Sequence, residues 1–134
     1  MVNTEVMLVK RSDAGYGETL RRLDEAIERR GLTEFARIDH AAAARAAGLE
    51  MADELVVLFG NPRAGTPLMQ SDPRVGIELP LRMLIWSDAK GTLVGHDDPR
   101  ELATRYELAD NAGTLEQMAV LLTQLVGEVT AAAG

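Results

Sequence analysis

The stretch Leu55-Val56-Val57-Leu58-Phe59-Gly60-Asn61-Pro62-Arg63-Ala64-Gly65-Thr66-Pro67-Leu68-Met69 decides how this chain is read. Its first five residues are a short apolar run stopped by glycine, which predicts a strand in the interior of a sheet. Two glycines and two prolines come next within eight residues. Glycine admits positive φ, while proline fixes φ and removes a donor. The strand is therefore expected to end in a shaped loop from Gly60 to Met69, with a ligand cleft beyond it. Asn61 offers a donor and an acceptor, Thr66 a hydroxyl, and Arg63 or Arg82 a planar cation for a carboxylate or phosphate. Met69 with Leu68 supplies an apolar wall, and His40 with Arg82 the nearest polar neighbours. The expected ligand-binding set is His40, Asn61, Arg63, Thr66, Met69 and Arg82, suited to a small polar-headed or anionic ligand. The competing reading is a turn in which Asn61 bonds only nearby backbone.

Upstream of this stretch, Val6-Met7-Leu8-Val9 within Asn3–Lys10 reads as a first strand. After the turn cluster Ser12–Gly17, Leu20, Leu23 and Ile27 recur at helical spacing among charged residues, and Gly31 stands where a left-handed residue ends a helix. Phe35–Asp39 reads as a strand, although Phe35 and Ile38 fall on opposite faces under a strict period of two. Asp39 is placed to N-cap an alanine helix from His40 to Ala47, closed by Gly48.

Downstream, Pro80–Ser87 is apolar on both faces, and with the turn Asp88-Ala89-Lys90-Gly91 and the run Thr92–His96 it predicts an antiparallel hairpin. Asp98-Pro99-Arg100-Glu101 combines an acidic N-cap, Pro at N1 and Glu at N3, which predicts a helix turning Leu102, Tyr106 and Ala109 inward. Asn111-Ala112-Gly113 breaks it. Thr114, with Gln117 three residues on, opens a last helix over 113–131 whose Leu115, Met118, Leu122, Leu125 and Val129 form an apolar stripe. This order predicts a single α+β domain, a mostly antiparallel sheet with helices on one face, in the sequence β-α-β-α-β-β-β followed by two helices.

Phe59-Gly60-Asn61-Pro62, then Gly65-Thr66, Leu68-Met69, Leu79-Pro80-Leu81 and Asp98-Pro99 resemble, in order and spacing, the domain-of-unknown-function family 302. The resemblance covers residues 1–108, with the 113–131 helix beyond it. It implies a curved antiparallel sheet of the TATA-binding-protein type backed by helices, and association as a homodimer. Both faces of the Leu81 strand are apolar while one helix layer covers a single face, so a two-fold partner is expected on the other.

Composition narrows the function classes. The 134 residues are 46% hydrophobic and 26% charged, values of an ordinary globular domain. The net charge of −7 is concentrated after residue 50, and no basic stripe is interleaved with aromatics, so nucleic-acid binding is not expected. The absence of cysteine removes disulfides, thiolate nucleophiles and Cys-ligated metal centres. No secretory leader or membrane-spanning run is read in the sequence, and the expected location is the cytoplasm. Two His-acid groups, Asp39-His40 and His96-Asp97-Asp98, supply candidates for a metal or acid–base site, namely His40, His96 and Asp98. Against it, Asp39 and Asp98 serve as helix caps, and adjacent residues on an extended chain point to opposite faces. No metal and no cofactor are expected. The favoured function is a homodimeric ligand-binding or interaction module without catalysis; the alternative is a small metal-assisted or acid–base enzyme using His40 and His96.

Overall fold

A computed structural model describes residues 7–132, and among these described residues there are five strands and four α-helices. The strands β1 (Leu8–Arg11), β2 (Thr33–Asp39), β3 (Glu54–Gly60), β4 (Leu81–Asp88) and β5 (Gly91–His96) form one sheet in the order β1-β5-β4-β3-β2. Every neighbouring pair is antiparallel. The runs beginning at Leu55 and Leu81 are interior strands, as expected of segments apolar on both faces. The N-terminal part of the expected first strand, Asn3 to Val6, lies outside the described residues.

The helices are α1 (Tyr16–Arg29), α2 (His40–Ala46), α3 (Pro62–Ser71) and α4 (Ala112–Thr130). Among the described residues none is long and apolar enough to cross a membrane. Helix α1 ends before Gly31, whose φ of 65° supplies the left-handed residue the sequence called for. Asp39 caps α2 by accepting from the Ala42 amide at 2.9 Å, and Gly48 comes after it at φ 80°. In β2 a bulge between Glu34 and Ala36 takes up the extra residue, which explains why Phe35 broke the alternation.

Three expectations are corrected. The segment after Gly60 is a helix and not a loop: Asn61 is its N-cap, Pro62 sits in its first turn, and the Asn61 side chain accepts from the Arg63 amide at 2.9 Å. Proline in the first turn costs a helix nothing, because the amide it lacks would be unpaired there. The Asp98 segment, by contrast, forms only a 3-10 turn, Pro99–Thr104, succeeded by a second, Ala109–Asn111. Leu102 and Leu108 are both buried, and an unbroken α-helix would set them about 120° apart around its axis. The order is therefore β-α-β-α-β-α-β-β-α, with a single α-helix after the sheet. That helix starts at Ala112 with Asn111 as its cap residue, without a side-chain capping bond, so Thr114 lies inside it.

The sheet register sorts the side chains by face. Leu55, Val57 and Phe59 of β3, Met83 and Ile85 of β4 and Val94 of β5 are buried against α1 and α4, through Leu23, Ala26 and Ile27 of the former and Leu122, Leu125, Val126 and Val129 of the latter. Each fully buried aliphatic or aromatic side chain contributes about 1.5–3 kcal/mol. A second cluster, Leu68, Val75, Leu102, Leu108, Leu115 and Met118, joins α3 and the 3-10 turns to the first half of α4. It is pinned by Asp72, 5% exposed, which accepts from the Arg74 amide and guanidinium and from the Glu107 amide at 3.0 Å.

The opposite face carries a row that crosses all five strands: Ile38, Val56, Leu84, Gly95 and Val9 lie side by side in register. Trp86 and Leu93 form a paired row beside it, and Ala36 with Leu58 another on the other side. Val9 is 49% exposed and Ile38 45%, while Val56, Leu58, Leu84, Trp86 and Leu93 are half-buried.

Candidate functional site

A cavity of about 590 Å³ opens where β4 begins and β5 ends. Its floor is apolar, formed by Leu79 and Leu81 at the start of β4, Pro99 and Leu102 of the 3-10 turn, Leu8 of β1 and Leu122 of α4. Charged groups stand around it. The hairpin register puts Asp97 opposite Arg82, and Arg82 Nη2 lies 3.3 Å from Asp97 Oδ2 and 3.7 Å from Glu78 Oε1. Arg105 Nη2 reaches Glu78 Oε2 at 3.3 Å, and the Tyr106 hydroxyl donates to the same oxygen at 2.8 Å. That bond to a carboxylate, with some burial, raises the Tyr106 pKa. Asp98 accepts from the Arg100 amide and guanidinium, and the guanidinium holds its carboxyl below the usual range. Glu101 completes the rim, exposed, with no side-chain hydrogen bond among the described residues.

The six residues expected to bind ligand do not meet. His40 adjoins the β2 residue Asp39, which pairs with Leu55, whereas Asn61 adjoins Gly60 at the far end of β3. Six strand residues, roughly 20 Å, separate them. Asn61, Arg63 and Thr66 are exposed on α3, Asn61 spending its side-chain oxygen on the helix cap. Met69, 39% exposed, lies over Gly76. Arg82 alone of the six lines the cavity, where it is joined by Asp98. Sequence reasoning gave no ligand role to Glu78, Glu101 and Arg105, and weighed Asp97 only within the His96-Asp97-Asp98 group. A signal for one of them existed: a two-residue turn at Ala89-Lys90 pairs Asp88 with Gly91 and so fixes Asp97 opposite Arg82.

The two histidines are also apart. His96 is 4% exposed, with Nδ1 2.7 Å from the Asp97 carbonyl oxygen, on β5; His40 is exposed beside β2. Strands β3 and β4 stand between, about 14 Å of sheet width. Among the described residues no three His, Asp or Glu side chains gather closely enough to hold a metal ion.

The sequence profile of a family described as "Domain of unknown function DUF302" matches residues 8–125. The chain belongs to this family. A crystal structure of an uncharacterized conserved DUF302 protein from Bacillus stearothermophilus superposes with a TM-score of 0.83 at 16% identity, over 94% of this chain and 99% of that one. At that identity the likeness establishes the shared fold. Among curated proteins, the fluoride-specific ion channel FluC 1 of Brucella suis is 39% identical over 92 residues, 68% of this chain and 36% of that protein. FluC 1 of Brucella abortus is 39% identical over 92 residues, 34% of its length. The chain thus spans about a third of the length of the curated relatives it matches. The DUF302 fold carries no activity in its name, and a fold shared at this level hosts more than one function.

Proposed function

We propose that this DUF302 chain is a homodimeric cytoplasmic module that holds a small ligand in the β4–β5 cavity and carries out no catalysis. The observation that supports it is the open sheet face. Its central apolar row spans five strands, about 20 Å across, and an exposed apolar patch is the kind of feature that marks an interaction surface. A second copy related by a two-fold axis offers the same apolar rows, so the two faces complement each other without further specialisation. Light scattering at micromolar concentration tests this reading: a mass near twice the chain's 14.5 kDa is expected, and a monomer mass overturns it.

The partial match to the FluC proteins favours a second reading, in which the same face docks another segment of a longer chain, with the domain appended to a channel. A cross-link between this face and the remainder of such a relative would favour it over the homodimer.

A further inference from the structure

We infer that the cavity at the start of β4 takes an organic cation, an ammonium or guanidinium group on an apolar body. This rests on the ligand half of the preceding reading and fixes the sign of the ligand's head. The volume of about 590 Å³ is in the range that holds small organic ligands. Its floor, Leu8, Leu79, Leu81, Pro99, Leu102 and Leu122, receives an apolar body.

The rim decides the charge. Four carboxylates, Glu78, Asp97, Asp98 and Glu101, face two guanidiniums, Arg82 and Arg105. Two of the four have close partners: Glu78 Oε2 takes Arg105 and Tyr106, and Asp98 takes Arg100. The other two are underused. Asp97, exposed, has one side-chain contact, the 3.3 Å bond from Arg82, and Glu101 has none among the described residues. An anion would approach Arg82 and Arg105 across these carboxylates and be repelled, whereas a cation meets Asp97 and Glu101 directly. The absence of any three-ligand cluster among the described residues favours an ammonium over a metal ion, since one or two carboxylates suffice for it.

The test uses n-hexylammonium chloride, sodium hexanoate and ethylammonium chloride, titrated into the 15N-labelled full chain at pH 7 and monitored by amide chemical shifts. Hexylammonium is expected to move the amides of Leu81, Arg82, Asp97 and Glu101 with a Kd of about 1 mM, as for a ligand of this size. Ethylammonium, lacking the apolar body, is expected to bind at least about tenfold more weakly. The double variant Asp97→Asn/Glu101→Gln removes only exposed charges and is expected to keep the wild-type circular dichroism while weakening hexylammonium about three- to tenfold. Hexanoate shifting the same amides more strongly than hexylammonium overturns the inference while leaving a ligand site in place. Silence from both probes at 20-fold the expected Kd, about 20 mM, overturns the ligand reading as well. Equal hexylammonium affinity in the double variant overturns the role of the rim.

Discussion

The two faces of the sheet are made from the same kinds of residue and end differently. On one, Val57, Phe59, Met83, Ile85 and Val94 are wholly buried beneath α1 and α4. On the other, Val56, Leu58, Leu84, Trp86 and Leu93 stay half-exposed, with Val9 and Ile38 more exposed still at the edges. Strand alternation is blind to this difference, since a run apolar at every position announces two covered faces without saying what covers them. The helices supply one cover, because each has only one apolar stripe to offer. A charge placed on each face in turn should therefore have opposite consequences, for folding on one side and for assembly on the other.

The largest effect is expected on the helix-covered face. Leu122, 1% exposed, sits in α4 above the sheet, and Leu122→Asp buries a carboxylate without a partner. A loss of about 4 kcal/mol or more is expected, against a total stability of about 5–15 kcal/mol. Chemical denaturation reads it directly, and an unchanged midpoint would remove α4 from the core.

Next comes the polar pin of the second cluster. Hydrogen bonds and charge from Arg74, then the Glu107 amide, hold the Asp72 carboxyl well below the usual carboxylate range. Its folded pKa is depressed relative to an unfolded value near 3.9, so its contribution is complete above about pH 5 and is lost as pH falls through the carboxylate range. Asp72→Asn is expected to lower Tm by several degrees at pH 7, with the gap to wild type closing towards pH 3. A gap that persists unchanged at pH 3 would assign the cost to shape and not to charge.

On the open face, Leu84→Arg is expected to leave folding stability within about 1 kcal/mol of wild type, as for a half-exposed position. In the proposed dimer, dissociation through this face should rise by at least about a hundredfold, because a two-fold interface meets the substitution twice. Analytical ultracentrifugation separates the two quantities. Loss of fold without dissociation would mean that this face is stabilised from within the monomer.

The legibility of the sequence depended on how local each cue was. Three segments share one grammar, Asn61-Pro62-Arg63, Asp72-Pro73-Arg74 and Asp98-Pro99-Arg100, and in all three the first side chain accepts from the arginine amide at 2.9 to 3.1 Å. That much is local, and the caps at Asp39 and Asp98 were readable for the same reason. The conformation beyond each cap is set by distant contacts. The first segment continues as α3 through Pro67, with Leu68 buried against Val75 and Leu115. The other two become 3-10 turns, Pro73–Ile77 and Pro99–Thr104, whose Val75 and Leu102 are drawn into one cluster with Leu108. The five-strand sheet, the hairpin and the stripe of α4 were legible because periodicity and turn chemistry agreed. The cavity was not, since Glu78, Asp97 and Arg105 lie on three separate segments that only the fold brings together.

The smallest expected effect tests how firmly the open face is packed. A Cβ at Gly95 would lie 2.8 Å from the Met7 methyl carbon and 3.2 and 3.3 Å from two Trp86 ring atoms. The methionine end is flexible and yields, so the added carbon acts on the indole, which has to rise from the sheet by a few tenths of an ångström. In a monomer with this face open the ring moves outward freely, and Gly95→Ala is expected to cost about 1 kcal/mol, the low end for overpacking. Trp86 is the single tryptophan, so its fluorescence reports the change without interference. If a second copy presses on the face, the lifted ring also obstructs the partner, and the variant should show a red-shifted emission together with a concentration-dependent Tm. A red shift with a Tm independent of concentration across a hundredfold range would mean that nothing rests on Trp86, and the pairing of open faces would fail with it.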